Sequence, residues 1–150
     1  MHFCLVDAVL ELAPDRIVAI KNVSAAEEYL QDHFPTFPVL PGVLMIEAMV
    51  QAARTLLASR DPAEGRHVLG GVRALKYGAL VRPGDALHVD VSLVEATPDG
   101  AREFRGTGQV LRSGRTDGPV QTAVSGRFTL RPVRLQPLQS AINTSRTGVA

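Results

Sequence analysis

The chain has 150 residues, a hydrophobic share of 45 % and a formal net charge of +1. That balance fits one soluble globular domain with its own core, and it excludes a disordered chain or a strongly basic nucleic-acid binder. One cysteine, Cys4, excludes an internal disulfide framework and a multi-cysteine zinc site. Wholly apolar runs, such as Val43 to Ile46, are far short of the roughly 20 residues that span a bilayer. Asp7 and Glu11 interrupt the opening residues, so they do not read as a signal segment, and the expected location is the cytoplasm with no membrane role.

In chain order, residues 2–12 are rich in Val and Leu and read as a strand, with Cys4 as inert core. Pro14-Asp15 marks a turn, and Arg16–Val23 alternates apolar and polar as a second strand. Ser24 with Glu27 three residues later is a helix-start signature for a short helix. Asp32–Gly42 carries Pro35, Pro38 and Pro41 and predicts a stiff, extended loop. Pro41 then opens a helix over 42–59, apolar all round in its first twelve residues except for Glu47 and Gln51, and so expected in the centre of the domain. Strands follow at Val68–Val81, Ala86–Ala96, Ala101–Arg112 and Val120–Arg131, separated by Pro83-Gly84-Asp85, by the hairpin signal Asp99-Gly100, and by Ser113–Pro119. Strands with no helices between them predict a mostly antiparallel sheet, so the fold class is α+β, one long helix wrapped by that sheet. Residues 1–133 form the single domain, and 134–150 read as a flexible tail.

The charge is uneven. Residues 101–150 hold eight arginines against Glu103 and Asp117, a net of +6, while residues 1–100 carry a net of −5. This basic stretch is either the solvated face of strands or a surface that steers an acidic partner.

Three features carry chemistry. Glu47 is a carboxylate on an apolar helix with no Lys or Arg one turn away to pair with, and Gln51 shares its face and can orient it. Solvent or a strand arginine could equally satisfy it. His33 sits in the proline-fixed loop, and an imidazole suits proton transfer near neutrality, although a lone histidine is more often structural. Gly42 and Val43 begin the helix, where free N–H groups and the positive end of the dipole can hold an oxyanion. Together these fit proton abstraction beside a carbonyl followed by loss of a β-hydroxyl. A phosphate-binding glycine loop, a nucleophile elbow and zinc-ligand spacing are absent from the sequence, and with no tryptophan there is little to stack on nucleic-acid bases.

The segment Asp32–Ala52, DHFPTFPVLPGVLMIEAMVQA, resembles the active-site segment of FabZ-type 3-hydroxyacyl-[acyl-carrier-protein] dehydratases, hotdog-fold enzymes of fatty-acid synthesis. His-Phe-Pro, Pro-Val-x-Pro-Gly-Val and Glu-Ala-x-x-Gln occur in order, with Glu47 fourteen residues after His33. Weaker similarity runs to about Pro132, through FCLVD at Phe3–Asp7 and VRPGD at Val81–Asp85. The resemblance implies that His33 removes the α-proton of a 3-hydroxyacyl thioester and that Glu47 protonates the departing hydroxyl. It further implies that the Gly42 N–H holds the thioester carbonyl, that Gln51 orients Glu47, and that no cofactor is needed. It implies a homodimer whose sites combine His33 of one subunit with Glu47 of the other, dimers that assemble into hexamers, and an acyl tunnel lined by Phe34, Phe37, Met45, Met49 and Tyr77. It implies an acidic acyl-carrier protein as partner, presenting the acyl chain on phosphopantetheine. Two positions depart from the family pattern: Asp32 stands where glycine is common, and Phe37 where a second histidine is common. The alternatives on the same fold are an acyl-thioester hydrolase, with Glu47 activating water, and a non-catalytic acyl-thioester-binding module.

Overall fold

The structure, a computed structural model, describes residues 3–62, 66–112 and 119–133. The expected tail at 134–150 and nearly all of the break at Ser113–Pro119 lie outside the described residues. Six strands form one sheet: β1 (Ala8–Leu12), β2 (Arg16–Asn22), β3 (His67–Tyr77), β4 (Ala86–Ala96), β5 (Arg102–Leu111) and β6 (Gln121–Pro132). Their order across the sheet is β1-β2-β4-β5-β6-β3, and every pairing is antiparallel. The single α-helix among the described residues, α1 (Gly42–Arg60), lies against one face of this sheet.

Strand alternation decides which residues meet the helix. In β4, Leu87, Val89 and Val91 are fully buried, and their neighbours His88, Asp90 and Ser92 are only partly so. In β5 and β6, Phe104, Val110, Phe128 and Leu130 point inward, and Phe104 stacks on Phe128 with ring centroids 5.5 Å apart. The helix answers with Met45, Ala48, Met49, Ala52, Ala53, Leu56 and Leu57. A Cβ at Gly106 would come within 2.5 Å of Met49 Sδ and 3.2 Å of the Phe128 ring, so the bare glycine is what lets the helix sit this close to β5. Although α1 is long and apolar enough by composition to cross a membrane, its sheet-facing stripe is consumed by this core.

Four sequence expectations need correction. The opening strand covers only Ala8–Leu12; residues 3–7 leave the sheet, because Leu5 turns into the core beside the helix. Cys4 is exposed and not core, its Sγ donating to the Val6 carbonyl at 3.2 Å. Ser24 and Glu27 do form the expected turn, with Glu27 accepting from Ser24 N–H, but only one 3₁₀ turn follows, at Glu28–Leu30. The helix is not buried all round: Val43 is 69 % exposed, and Glu47 and Gln51 are half-buried, because one sheet covers one side of a helix. The remaining boundaries fall within a few residues of the expected ones, β3 ending earlier at Tyr77, where the chain turns away at Gly78.

Candidate active site

The loop ahead of α1 is a small hairpin stitched by its own backbone. Phe34 and Phe37 exchange N–H···O bonds of 3.2 and 3.0 Å around Pro35-Thr36, and Val39 N–H donates to the His33 carbonyl at 3.0 Å. His33 Nδ1 lies 3.1 Å from the Val39 carbonyl. A carbonyl can only accept, so Nδ1 carries the proton in this contact, and the neutral ring keeps its lone pair on Nε2. Phe34 stacks on the imidazole at 4.4 Å, and the peptide between the two residues is cis. Leu40 N–H then docks on the Val81 carbonyl at 2.8 Å, which ties the loop to the segment leading into β4. Arg82 from that segment lies over the Phe37 ring, its guanidinium carbon 4.3 Å from the centroid.

Pro41 places the chain for the helix, and its carbonyl accepts from Leu44 N–H at 2.9 Å and from Met45 N–H at 3.2 Å. The helical ladder therefore starts after Gly42 and Val43, whose N–H groups stand outside it at the positive end of the dipole. A Cβ on Gly42 would lie 2.7 to 3.1 Å from Cε1, Cζ and the hydroxyl of Tyr77. The end of β3 thus crosses the helix start, and glycine is required for so close an approach. Tyr77 is exposed overall, and partial desolvation of its phenol pushes it up from its ordinary value of 10.0.

One turn along α1, Gln51 Nε2 donates to Glu47 Oε1 at 2.9 Å. No hydrogen bond or ion pair joins Glu47 to a cation, nor His33 to Glu47, within one chain among the described residues. Of the five expected tunnel residues, Phe34, Phe37 and Tyr77 are exposed around the loop and helix start, whereas Met45 and Met49 of α1 are buried on its sheet-facing side. Among the described residues no group of three His, Cys, Asp or Glu side chains is placed to hold a metal ion.

Sequence reasoning missed one network here. Lys21 is only 6 % exposed, and its ammonium donates to Glu27 at 2.8 Å and to the Asn22 carbonyl at 2.7 Å, with Asp7 at 3.6 Å. Tyr29 donates its hydroxyl to the other Glu27 oxygen. Burial opposes ionisation of Glu27, but bonds from Lys21, Tyr29 and Ser24 outweigh it and hold the carboxyl below its ordinary 4.5. Burial and the same Glu27 push the Tyr29 phenol well above its usual range. The signal was present: Lys21 falls in step with Ile17 and Ala19, the inward positions of β2. The arginines of β5 and β6 show the opposite placement. Arg105 and Arg127 face each other on the outer side of the sheet, where Glu103 pairs with Arg73 at 2.7 Å and with Arg127 at 3.5 Å.

Comparison with known proteins places the chain in a family. A family model for a FabA-like domain matches residues 1–116. The 3-hydroxyacyl-[acyl-carrier-protein] dehydratase FabZ of Lactococcus lactis is 42 % identical over 117 residues, covering 70 % of this chain and 81 % of that protein. FabZ of Streptococcus agalactiae is 40 % identical over 127 residues, covering 83 % and 84 %. Among solved structures, the dehydratase heterocomplex ApeI:P from Xenorhabdus doucetiae superposes with a TM-score of 0.60 at 21 % identity, covering 84 % of this chain and 96 % of that one. The phenylacetic acid degradation protein PaaI from Thermus thermophilus superposes with a TM-score of 0.55 at 16 % identity, covering 84 % and 92 %. With a hotdog fold, a family match over most of its length and relatives this close, the chain belongs to the FabA-like family of FabZ-type dehydratases.

Proposed function

We propose that this protein dehydrates (R)-3-hydroxyacyl thioesters carried on acyl-carrier protein to trans-2-enoyl thioesters, a step of fatty-acid or related acyl-chain biosynthesis. It is a hydro-lyase and needs no cofactor for this chemistry. The observation that carries the acid–base assignment is the His33 contact to the Val39 carbonyl, which leaves Nε2 as the free base. In this reading Nε2 takes the α-proton, and the electrons of that C–H bond move toward the thioester oxygen. The N–H groups of Gly42 and Val43 hold the charge that develops there. Glu47 gives its proton to the β-hydroxyl, the C–O bond breaks, water leaves, and the α,β double bond closes. Afterwards His33 holds a proton that Glu47 has lost, and one proton exchange through solvent resets the pair.

The site is completed by a second subunit, with His33 of one copy facing Glu47 of the other. Two features support this. No hydrogen bond or ion pair joins His33 to Glu47 within one chain. In addition, β3 is an eleven-residue edge strand with exposed Val68, Leu69 and Tyr77, the kind of edge that pairs with another copy. Tyr77 ends that strand against Gly42, so a partner along β3 would reach the helix start. The acyl chain runs past Phe34, Phe37 and Tyr77 toward Met45 and Met49, and the basic outer face around Arg105 and Arg127 steers the acidic carrier. The enzyme works in the cytoplasm as a dimer or as a hexamer built from three dimers.

The test is hydration of crotonyl-acyl-carrier protein followed by mass spectrometry, for wild type, His33→Ala and Glu47→Gln. Folded variants that each lose about 10²–10⁴-fold in rate support the assignment. Release of free carrier thiol would identify a hydrolase instead, and binding without turnover a binding module.

A further inference from the structure

The amide of Gln51 is held from three sides. Leu5 N–H donates to its Oε1 at 2.7 Å, its Nε2 donates to the Phe3 carbonyl at 3.2 Å, and its Nε2 also donates to Glu47 Oε1 at 2.9 Å. The two ends of a glutamine amide have nearly the same shape, so a glutamine beside a carboxyl group could face it with either end. Backbone groups have no such freedom: Leu5 N–H can only donate and the Phe3 carbonyl can only accept. Both demand the same orientation, with oxygen toward Leu5 and nitrogen toward Phe3 and Glu47.

We infer that the extended segment Phe3–Leu5 is a positioning element for the acid: it sets the direction of the Gln51 amide, and the amide sets which oxygen of Glu47 carries the acid proton. This rests on the dehydratase reading. With Nε2 donating to Oε1, that oxygen is occupied as an acceptor, and the proton that Glu47 delivers resides on Oε2. A reversed amide would present its own oxygen to Glu47, accept that proton and withhold it from the substrate. The segment is anchored for this role on both sides. Leu5 is 1 % exposed, which fixes its N–H from within the core, and the Phe3 ring meets Tyr29 edge-on at 6.3 Å. Tyr29 in turn bonds Glu27, which bonds Lys21. The departure of residues 3–7 from the sheet, which shortens β1, is what brings these two peptide groups onto the helix.

The experiment is a double-mutant cycle on the full chain, read as kcat and KM separately. Leu5→Pro removes the N–H from the clamp together with the buried leucine side chain, and Leu5→Val keeps the N–H while altering that side chain, as a control for packing. Leu5→Pro is expected to lower kcat about tenfold with KM within about twofold, and to add less than about twofold in a Gln51→Leu background. Penalties that simply add, or an equal loss in Leu5→Val, overturn the inference, because packing damage does not depend on Gln51. Gln51→Glu guards against a Leu5→Pro chain that does not fold: it keeps the acceptor for Leu5 and removes the donor to Glu47. At pH 8 it is expected to lose at least as much kcat as Gln51→Leu, and wild-type kcat in this variant overturns the inference. A second readout is independent of turnover. The ¹⁵N-labelled side-chain amide of Gln51, assigned by its absence in Gln51→Leu, is expected to exchange its protons slowly with solvent in wild type. Rapid exchange there overturns the clamp. An inactive wild type would sink the dehydratase reading, while the exchange measurement would still decide how Gln51 is held.

Discussion

Phe104 and Phe34 are the same residue type in opposite settings. Phe104 is fully buried, stacked on Phe128, with the flat face of β5 behind it and Met49 of the helix above Gly106 beside it. Phe34 is 54 % exposed and stacked on His33, in a loop whose geometry comes from its own backbone bonds and its docking on Val81. The core holds its shape by volume: apolar groups fill the space between helix and sheet, and any change of size is felt. The proposed site holds its shape by directed bonds and close approaches, which leave apolar rings and half-buried polar groups facing outward, where the proposed function puts the substrate and a second subunit. The first region should therefore fail by unfolding, the second by losing activity while folded.

Phe104→Ala is the largest break on the core side. It should cost about 3–5 kcal/mol, seen in urea unfolding as a fall in midpoint, with activity lost in proportion to the unfolded fraction. Gly42→Ala is the sharper test of the other region. The added methyl meets the far end of the exposed Tyr77 side chain, which can swing away, so stability should change by less than about 1 kcal/mol. The displaced ring and the methyl beside the Gly42 N–H should lower kcat about 10²-fold. An intact rate in a folded Gly42→Ala protein would contradict the role given to the helix start. The smallest effect belongs to the network between the two regions. Glu27→Gln should destabilise the protein by about 1 kcal/mol at neutral pH. Glu27 has a folded value below 4.5, so its contribution is fully present above 4.5 and is lost as pH falls through that lowered value. The gap between wild type and Glu27→Gln should shrink in urea titrations taken to lower pH; a gap that widens there would reverse the sign assigned to Glu27.

Much of this was legible in the chain. The proline loop, the helix from Pro41 and the four later strands follow from local rules: fixed proline dihedrals, helical and alternating periodicity, and turn residues at Pro83-Gly84 and Asp99-Gly100. The pattern around His33, Gly42, Glu47 and Gln51 pointed to the proposed site through its residue types and its resemblance to a family motif. What alternation could not show was which apolar-looking stretch would stay in the sheet. Residues 3–7 carry the composition of a strand, yet the Phe3 carbonyl and the Leu5 N–H close on Gln51 and the Leu5 side chain on the core, a choice made by a partner 46 to 48 residues away. The exposure of Cys4 and the one-sided burial of α1 have the same origin, since burial is decided by what packs on top and not by the residue itself. The tautomer of His33 and the direction of the Gln51 amide depend on single carbonyl and N–H groups brought within about 3 Å by the fold. Sequence periodicity carries no record of such contacts; only the tertiary structure sets them.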